Sequence, residues 1–188
     1  KMRDYATYRF TAPQSCAINI FFDLAQEFDE LEQIHVSSVL VPRMFFQYEA
    51  ELYLKDDKGK LVLVTPALDP DNIGVPEVRT ELWTDESRCY IPVRGRSALV
   101  VTKDRMISDE DLMGVLALSM PKPFGSHDLL FLEKYANRVG FCLHNKLLAQ
   151  RNARHVLFLR KLAHDMGHNI LTPNKRLKLM ISQLEGQN

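Results

Sequence analysis

From Leu129 to Thr172 the chain contains no proline and two glycines, Gly140 and Gly167, so little in the backbone stops a helix once it has begun. Pro121, Pro123 and Gly125 close what precedes it. Ser126, followed by His127 and Asp128, offers an N-cap, which predicts a helix from about Leu129 onward. From Val156 a strict three-four spacing sets in: Val156, Leu159, Ala163, Met166, Ile170, Pro173, Leu177, Met180 and Leu184. Every member is apolar, and residues so spaced form one seam along a helix. Such a seam packs against other helices, as a coiled coil or in a four-helix bundle. The expectation is a homodimer formed through residues 156–184 of a long C-terminal helix.

The residues before this helix carry other periods. Ile18, Phe21, Phe22, Leu24, Ala25 and Phe28 predict an amphipathic helix over Ser15–Phe28. A second helix, Leu31–Gln47, is expected to break or kink at Pro42, which lacks the amide of a helical turn. Glu49–Lys55 alternates as a strand, Asp56, Asp57, Lys58 and Gly59 supply a turn, and Leu61–Thr65 returns, which together make a hairpin. Pro66–Ser87 is rich in Pro, Asp, Asn, Gly and Thr without a period and reads as a long loop with room for one short helix. Arg88–Val93 and Ser97–Thr102 read as strands around a turn at Arg94, Gly95 and Arg96, and Leu112–Met120 as a buried central strand. The order predicts an α+β fold, an antiparallel sheet covered by helices from both ends of the chain. Residues 1–148 form the expected body, and residues 149–188 begin a second, incomplete domain.

The 24 basic and 24 acidic residues cancel over the whole chain but not locally. Through residue 137, 15 Lys and Arg face 22 Asp and Glu, a net of −7; from residue 138, 9 face 2, a net of +7. A basic tail suits nucleic acid, a membrane surface or an acidic protein. Arg151, Arg154, Arg160 and Lys161 have one aromatic among them, Phe158, too few to interleave them as a stacking platform would, so direct nucleic-acid binding is not expected. No apolar stretch approaches the roughly 20 residues of a membrane helix. Cys16, Cys89 and Cys142 are odd in number and far apart, which argues against a disulfide scaffold or a zinc site. They read as reduced thiols of a cytoplasmic protein, Cys142 in a core and Cys89, beside the long loop, as the better reactive candidate. The chain starts at Lys1 and stops just after an apolar helical pattern, so it is expected to continue in a longer protein.

Arg88-Cys-Tyr-Ile-Pro-Val, then Gly114-Val-Leu-Ala-Leu, then Phe124 and Asp128 before a helix with Leu132, Ala136 and Val139, resemble the second half of a GAF domain, a small-molecule-sensing module. The Glu49–Thr65 hairpin is similar to the first GAF hairpin, and the resemblance covers about residues 10–148. It implies a GAF-like antiparallel sheet flanked by helices and a ligand pocket. Trp83, Cys89 and Tyr90 are the candidates for its wall. Between Pro66 and Cys89 there is no bilin-attachment, cyclic-nucleotide or haem signature, so the ligand is not named by the sequence.

On the C-terminal helix, Phe158, Ala163, His164, Asp165 and Met166 resemble the H-box of sensor histidine kinases, with the phenylalanine six residues before the histidine. The resemblance implies that His164 accepts the γ-phosphoryl group of ATP. A neutral imidazole nitrogen is the nucleophile such a step needs, and Asp165 is placed to hold the other ring nitrogen. The family usually has proline five residues after its histidine, where this chain has Asn169. Thr172 and Pro173 instead stand four and five residues after His168, which makes His168 a rival acceptor. The acidic neighbour and the upstream phenylalanine favour His164. In that register His168 takes the position where the family often carries a residue that orients a hydrolytic water. The spacing His164-Asp-Met-Gly-His168 is also that of a metalloprotease helix, but Asp is one methylene short of its Glu base and no third ligand is near, so no metal is expected.

The resemblances together imply the sensory and phosphoacceptor portion of a two-component sensor histidine kinase, a transferase and phosphoprotein in its complete form. ATP with Mg would be held by a catalytic domain outside these residues, and phosphate would pass from His164 to an aspartate of a response regulator. No Asn-rich or Gly-rich ATP motif occurs here, so this stretch alone is expected to catalyse nothing. The alternative is a non-enzymatic, dimeric GAF ligand-binding regulator whose tail helix oligomerises or docks on a partner.

Overall fold

The computed structural model describes residues 10–67, 74–85, 88–95, 112–119 and 124–185. Helix α1 spans Ala12–Glu27. It starts earlier than the apolar spacing alone predicts because Thr11 and Gln14 form a capping box: the Gln14 amide donates to Thr11 Oγ1 at 3.3 Å and the Thr11 amide to Gln14 Oε1 at 3.1 Å, with Pro13 in the first turn. Ala17, Phe21 and Ala25 turn its buried face inward.

Helix α2 spans Leu31–Phe46 and ends at Gln47 in the left-handed region, φ 59°. The expected break at Pro42 does not occur. Pro42 leaves the Ser38 carbonyl without its usual amide, and the hydroxyl of Tyr135 supplies a donor instead, at 3.0 Å. With that group satisfied, the helix continues for another turn.

Strand β1 (Glu49–Lys55) turns back into β2 (Leu61–Leu63). Asp56 Oδ1 accepts from the amides of Lys58 and Lys60, at 2.8 and 2.9 Å, while Gly59 takes a positive φ of 76° that a side chain would resist. The second strand is shorter than the sequence suggests, because Thr65 leaves the ladder and offers its Oγ1 to the Leu52 amide at 3.0 Å. Strands β3 (Trp83–Thr84), β4 (Arg88–Arg94) and β5 (Leu112–Ser119) complete a sheet of order β2-β1-β5-β4-β3, every neighbour antiparallel. The described part of the 66–87 loop holds no helix and contributes β3. The expected strand Ser97–Thr102 lies outside the described residues. Along β4, β3 reaches Tyr90 and no further, so Pro92 lies beyond that pairing, where a missing amide is tolerated.

Helix α3 spans Ser126–Glu185, 60 residues. It begins one turn before the predicted start: Gly125 serves as the cap, its carbonyl accepting from Leu129 at 3.0 Å and its amide donating to Asp128 Oδ2 at 3.3 Å. An acidic side chain in the first turn suits the positive end of the helix dipole.

The contacts divide the chain into two compact units, Lys1–Lys146 and Leu147–Asn188. In the first, β5 is buried on both faces. Leu116 and Leu118 face a large core with Phe21, Ile34, Leu52, Ile91, Phe131, Leu132, Tyr135 and Leu143; Val115 and Ala117 face a smaller cluster with Tyr53 and Leu61. Lys146 ties α3 to the end of α1, donating to the Phe28 carbonyl at 2.8 Å and pairing with Asp29 at 3.3 Å. The second unit is helix, with Val156, Leu157, Phe158, Leu159, Leu162, Met166, Leu177, Leu179, Met180 and Ile181 all exposed.

Candidate functional site

The face of the sheet that carries the smaller cluster is the candidate binding surface of the first unit. Antiparallel register lines up Glu51, Ala117, Tyr90 and Trp83 across β1, β5, β4 and β3. Tyr53, Val115 and Pro92 form the next row. Small residues on the central strand thus lie between larger ones on either side.

These rows are joined by polar contacts. Glu51 is 4% exposed, yet it accepts from the Tyr53 hydroxyl at 3.0 Å and pairs with Arg88 at 3.7 Å. These two partners compensate the burial of the carboxylate. Burial, with the Glu51 carboxylate bonded to it, pushes the Tyr53 phenol up to about 12. On the other side, Tyr90 donates to Asp85 Oδ2 at 3.0 Å, and Asp85 Oδ1 accepts the Arg88 amide at 2.8 Å. Burial and then the Asp85 bond raise the Tyr90 phenol. Trp83 stacks on Tyr90, ring centroids 5.0 Å apart and planes at 11°, and the Arg79 guanidinium lies 5.4 Å from the Trp83 centroid. Such a surface can bind a small molecule by aromatic contact and by charge.

Of the three wall residues expected from sequence, the structure brings together Trp83 and Tyr90 but not Cys89. One step along a strand reverses the side chain, and Cys89 is fully buried in the large core on the opposite face. Burial pushes its thiol up to about 12, the reverse of what a reactive thiol needs. Cys142 is also buried and is raised to about 11 by the same cause. Glu51, Tyr53, Arg88 and Asp85 were missed. Alternation along Glu49–Lys55 could have placed Glu51 and Tyr53 on one face, but their partner Arg88 depends on a register passing through β5.

In the second unit His164 and Asp165 stand on the exposed surface of α3, their side chains 82% and 56% exposed. Nδ1 of His164 is 3.6 Å from Asp165 Oδ1, close but beyond hydrogen-bond length. His168 is exposed on the next turn. Pro173 sits within the helix and leaves the Asn169 carbonyl without its usual amide. Among the described residues no group of three or more His, Cys, Asp or Glu is placed to hold a metal, and no helix is long and apolar enough to cross a membrane.

No family model and no curated protein matches the chain. Solved structures do. The GAF domain of a protein assigned as a sensor histidine kinase in Pseudomonas syringae pv. tomato superposes with a TM-score of 0.57 at 12% identity, covering 82% of this chain and 99% of that one. The GAF domain of an Acinetobacter phosphoenolpyruvate-protein phosphotransferase gives 0.52 at 13% identity, covering 72% and 95%. That of the potassium sensor histidine kinase KdpD of Escherichia coli gives 0.50 at 15% identity, covering 72% and 98%. The fold is therefore GAF-like: among the described residues, a five-stranded antiparallel sheet with flanking helices and a long C-terminal helix.

Proposed function

We propose that this chain is the sensory and phosphoacceptor portion of a two-component sensor histidine kinase, with a small molecule received at the Glu51–Trp83 face and His164 as the phosphoacceptor. The observation that carries the reading is that α3, which packs in the GAF-like unit, is the same helix that presents His164 beside Asp165. Two of the superposed GAF domains come from proteins whose descriptions name sensor histidine kinases.

The chemistry needs a neutral ring nitrogen open to its donor. His164 attacks the γ-phosphorus of ATP; an N–P bond forms, the bond to the β,γ-bridging oxygen breaks, and ADP leaves. Asp165 stabilises the positive charge that develops on the ring. ATP and Mg would be held by a separate catalytic domain, and the phosphoryl group would then pass to an aspartate of a response regulator. The exposed apolar residues support a helix bundle: Val156 to Leu159 are four apolar residues in a row, so at that level a single seam cannot cover them. A homodimer through residues 156–184, with one further helix from each copy completing a four-helix bundle, would. The basic residues nearby suit an acidic partner surface.

The test is incorporation of label from γ-labelled ATP into the natural full-length protein, wild type against His164→Gln and His168→Gln. Acid-labile, base-stable label lost only in His164→Gln supports the assignment. Loss only in His168→Gln keeps the function and moves the site. Absence of label in every form overturns the kinase reading in favour of a non-enzymatic, dimeric GAF regulator.

A further inference from the structure

Of the six histidines in the chain, only His164 and His168 stand four residues apart. Both lie in α3 and both are exposed. That spacing puts their Cβ atoms about 5–6 Å apart on one face of the helix. A dication bonded to two imidazole nitrogens at about 2.0–2.1 Å needs those nitrogens roughly 3 Å apart. Two exposed rings on successive turns reach that separation by side-chain rotation, as the same histidine spacing does for zinc in the metalloprotease helix. Around α3 the two rings lie about 100° and 140° from Ala163 of the apolar seam, so both stay outside it.

Asp165 selects the nitrogen that His164 offers. Its Oδ1 stands 3.6 Å from Nδ1, which favours the proton there and leaves the lone pair on Nε2. A carboxylate behind a metal-binding histidine has this effect, fixing the tautomer and strengthening the ligand. Arg160 and Lys161, exposed one turn earlier, oppose a cation, but solvent screens them. Among the described residues no third His, Cys, Asp or Glu joins the pair. That excludes a protease-type centre but not a two-point chelate, in which water fills the remaining positions and the metal exchanges freely. Imidazole suits zinc, nickel and copper, whereas magnesium takes oxygen, so the magnesium that accompanies ATP does not compete.

We propose that His164 and His168 chelate one dication of the zinc or nickel type across a single turn of α3, and that this metal blocks phosphoryl transfer to His164. Two ring nitrogens replace two waters on the metal, with no change of oxidation state. The chelate stands on the helix alone; the blockade rests on the reading of His164 as phosphoacceptor. Metal on Nε2 uses the lone pair that would attack phosphorus, so the metal-bound and phosphorylated forms exclude each other. The clip also spans Gly167, a weak helix former between the two rings, and stiffens the helix there.

The experiment measures zinc and nickel binding to the untagged whole chain by calorimetry, with Cys16→Ser throughout to remove the exposed thiol. The parent binds one metal per chain, and magnesium gives no binding. His164→Gln and His168→Gln each weaken zinc and nickel by about tenfold or more, the worth of one strong contact to a charge. His168→Gln with Asn169→His keeps the histidine count but turns the second ring about 100° away, and weakens binding as much. Zinc slows amide exchange over residues 164–169 in the parent alone. Binding unchanged in the single variants, or restored by moving the histidine, overturns the chelate. In the natural full-length protein zinc lowers labelling from γ-labelled ATP, and whichever of His164→Gln and His168→Gln keeps its label loses that suppression. Equal suppression in that variant overturns the blockade. Absence of label in every form refutes the phosphoacceptor reading, and the blockade with it, while the calorimetry stands, so the failures are told apart.

Discussion

The hydroxyl of Tyr135 donates to the carbonyl of Ser38 across 3.0 Å, on the one turn of α2 where Pro42 has removed the amide that would otherwise serve it. Tyr135 is fully buried, and burial raises its phenol well above the ordinary range. Tyr135→Phe should therefore strand a buried carbonyl and cost about 1–3 kcal/mol by urea unfolding. Adding Pro42→Ala returns an amide to the turn, so the loss caused by Tyr135→Phe should be smaller in the Pro42→Ala background. Equal losses in the two backgrounds would show that the hydroxyl is not the substitute donor.

Removing Arg88 should reveal what Glu51 costs to bury. The pair is separated by 3.7 Å, with Arg88 28% and Glu51 5% exposed at their side chains. Arg88→Met leaves a nearly buried carboxylate with less compensation and should destabilise by about 1–3 kcal/mol, a figure reduced from that of a fully buried pair because Arg88 reaches water. In the Glu51→Gln background the same substitution should cost less. A double-mutant cycle with no coupling would show that the two charges do not depend on each other.

Cys89 should be inert in the folded protein. With Cys89 and Cys142 buried and Cys16 exposed, a thiol reagent at pH 8 should modify one cysteine quickly and the other two on unfolding; rapid modification of Cys89 would count against its placement in the core. The pH dependence has a definite sign. The folded thiol is raised from 9.0 to about 12, so the unfolded chain gives up this proton first, and the stabilisation present below pH 9 is lost as pH rises toward 12. Cys89→Ala should flatten the decline in unfolding free energy over that window by up to about 1.4 kcal/mol per pH unit.

The strands and helices were readable where side-chain period alone decides them. Glu49–Lys55 alternates, and Leu112–Ser119 is apolar on both faces because β5 lies at the centre of the sheet. Limits set by side chains distant in sequence were not. Pro42 reads as a breaker until Tyr135, 93 positions later in the sequence, is placed beside Ser38. Trp83, Cys89 and Tyr90 are neighbours in sequence, but the pleat sends Cys89 to the opposite face, and the Arg88–Glu51 pair forms across strands 37 residues apart. His164 and Asp165 could be picked out because adjacent residues on a helix need no tertiary contact to meet, although their 3.6 Å separation is longer than the hydrogen bond the motif suggests.

The exposed apolar residues of the second unit should drive self-association. Leu159 and Met180 belong to the three-four seam and are 53% and 64% exposed. Leu159→Glu and Met180→Glu together place like charges along it, and should shift sedimentation of the chain toward monomer while leaving the far-ultraviolet helix signal of the first unit in place. A wild-type chain that is monomeric at high micromolar concentration would remove the basis for a dimer through residues 156–184.

On the proposed reading, signal and phosphoacceptor share α3, so helical phase should matter more than length. One residue inserted after Gln150 rotates everything beyond it by about 100°, whereas seven residues restore the phase to within about 20° while adding about 10 Å. In the natural full-length protein, the one-residue insertion should abolish the regulated level of His164 labelling, leaving it fixed high or low, and the seven-residue insertion should recover much of the wild-type level. If both insertions behave alike, α3 transmits no rotation. If neither changes labelling, the first unit does not act on His164 through this helix at all.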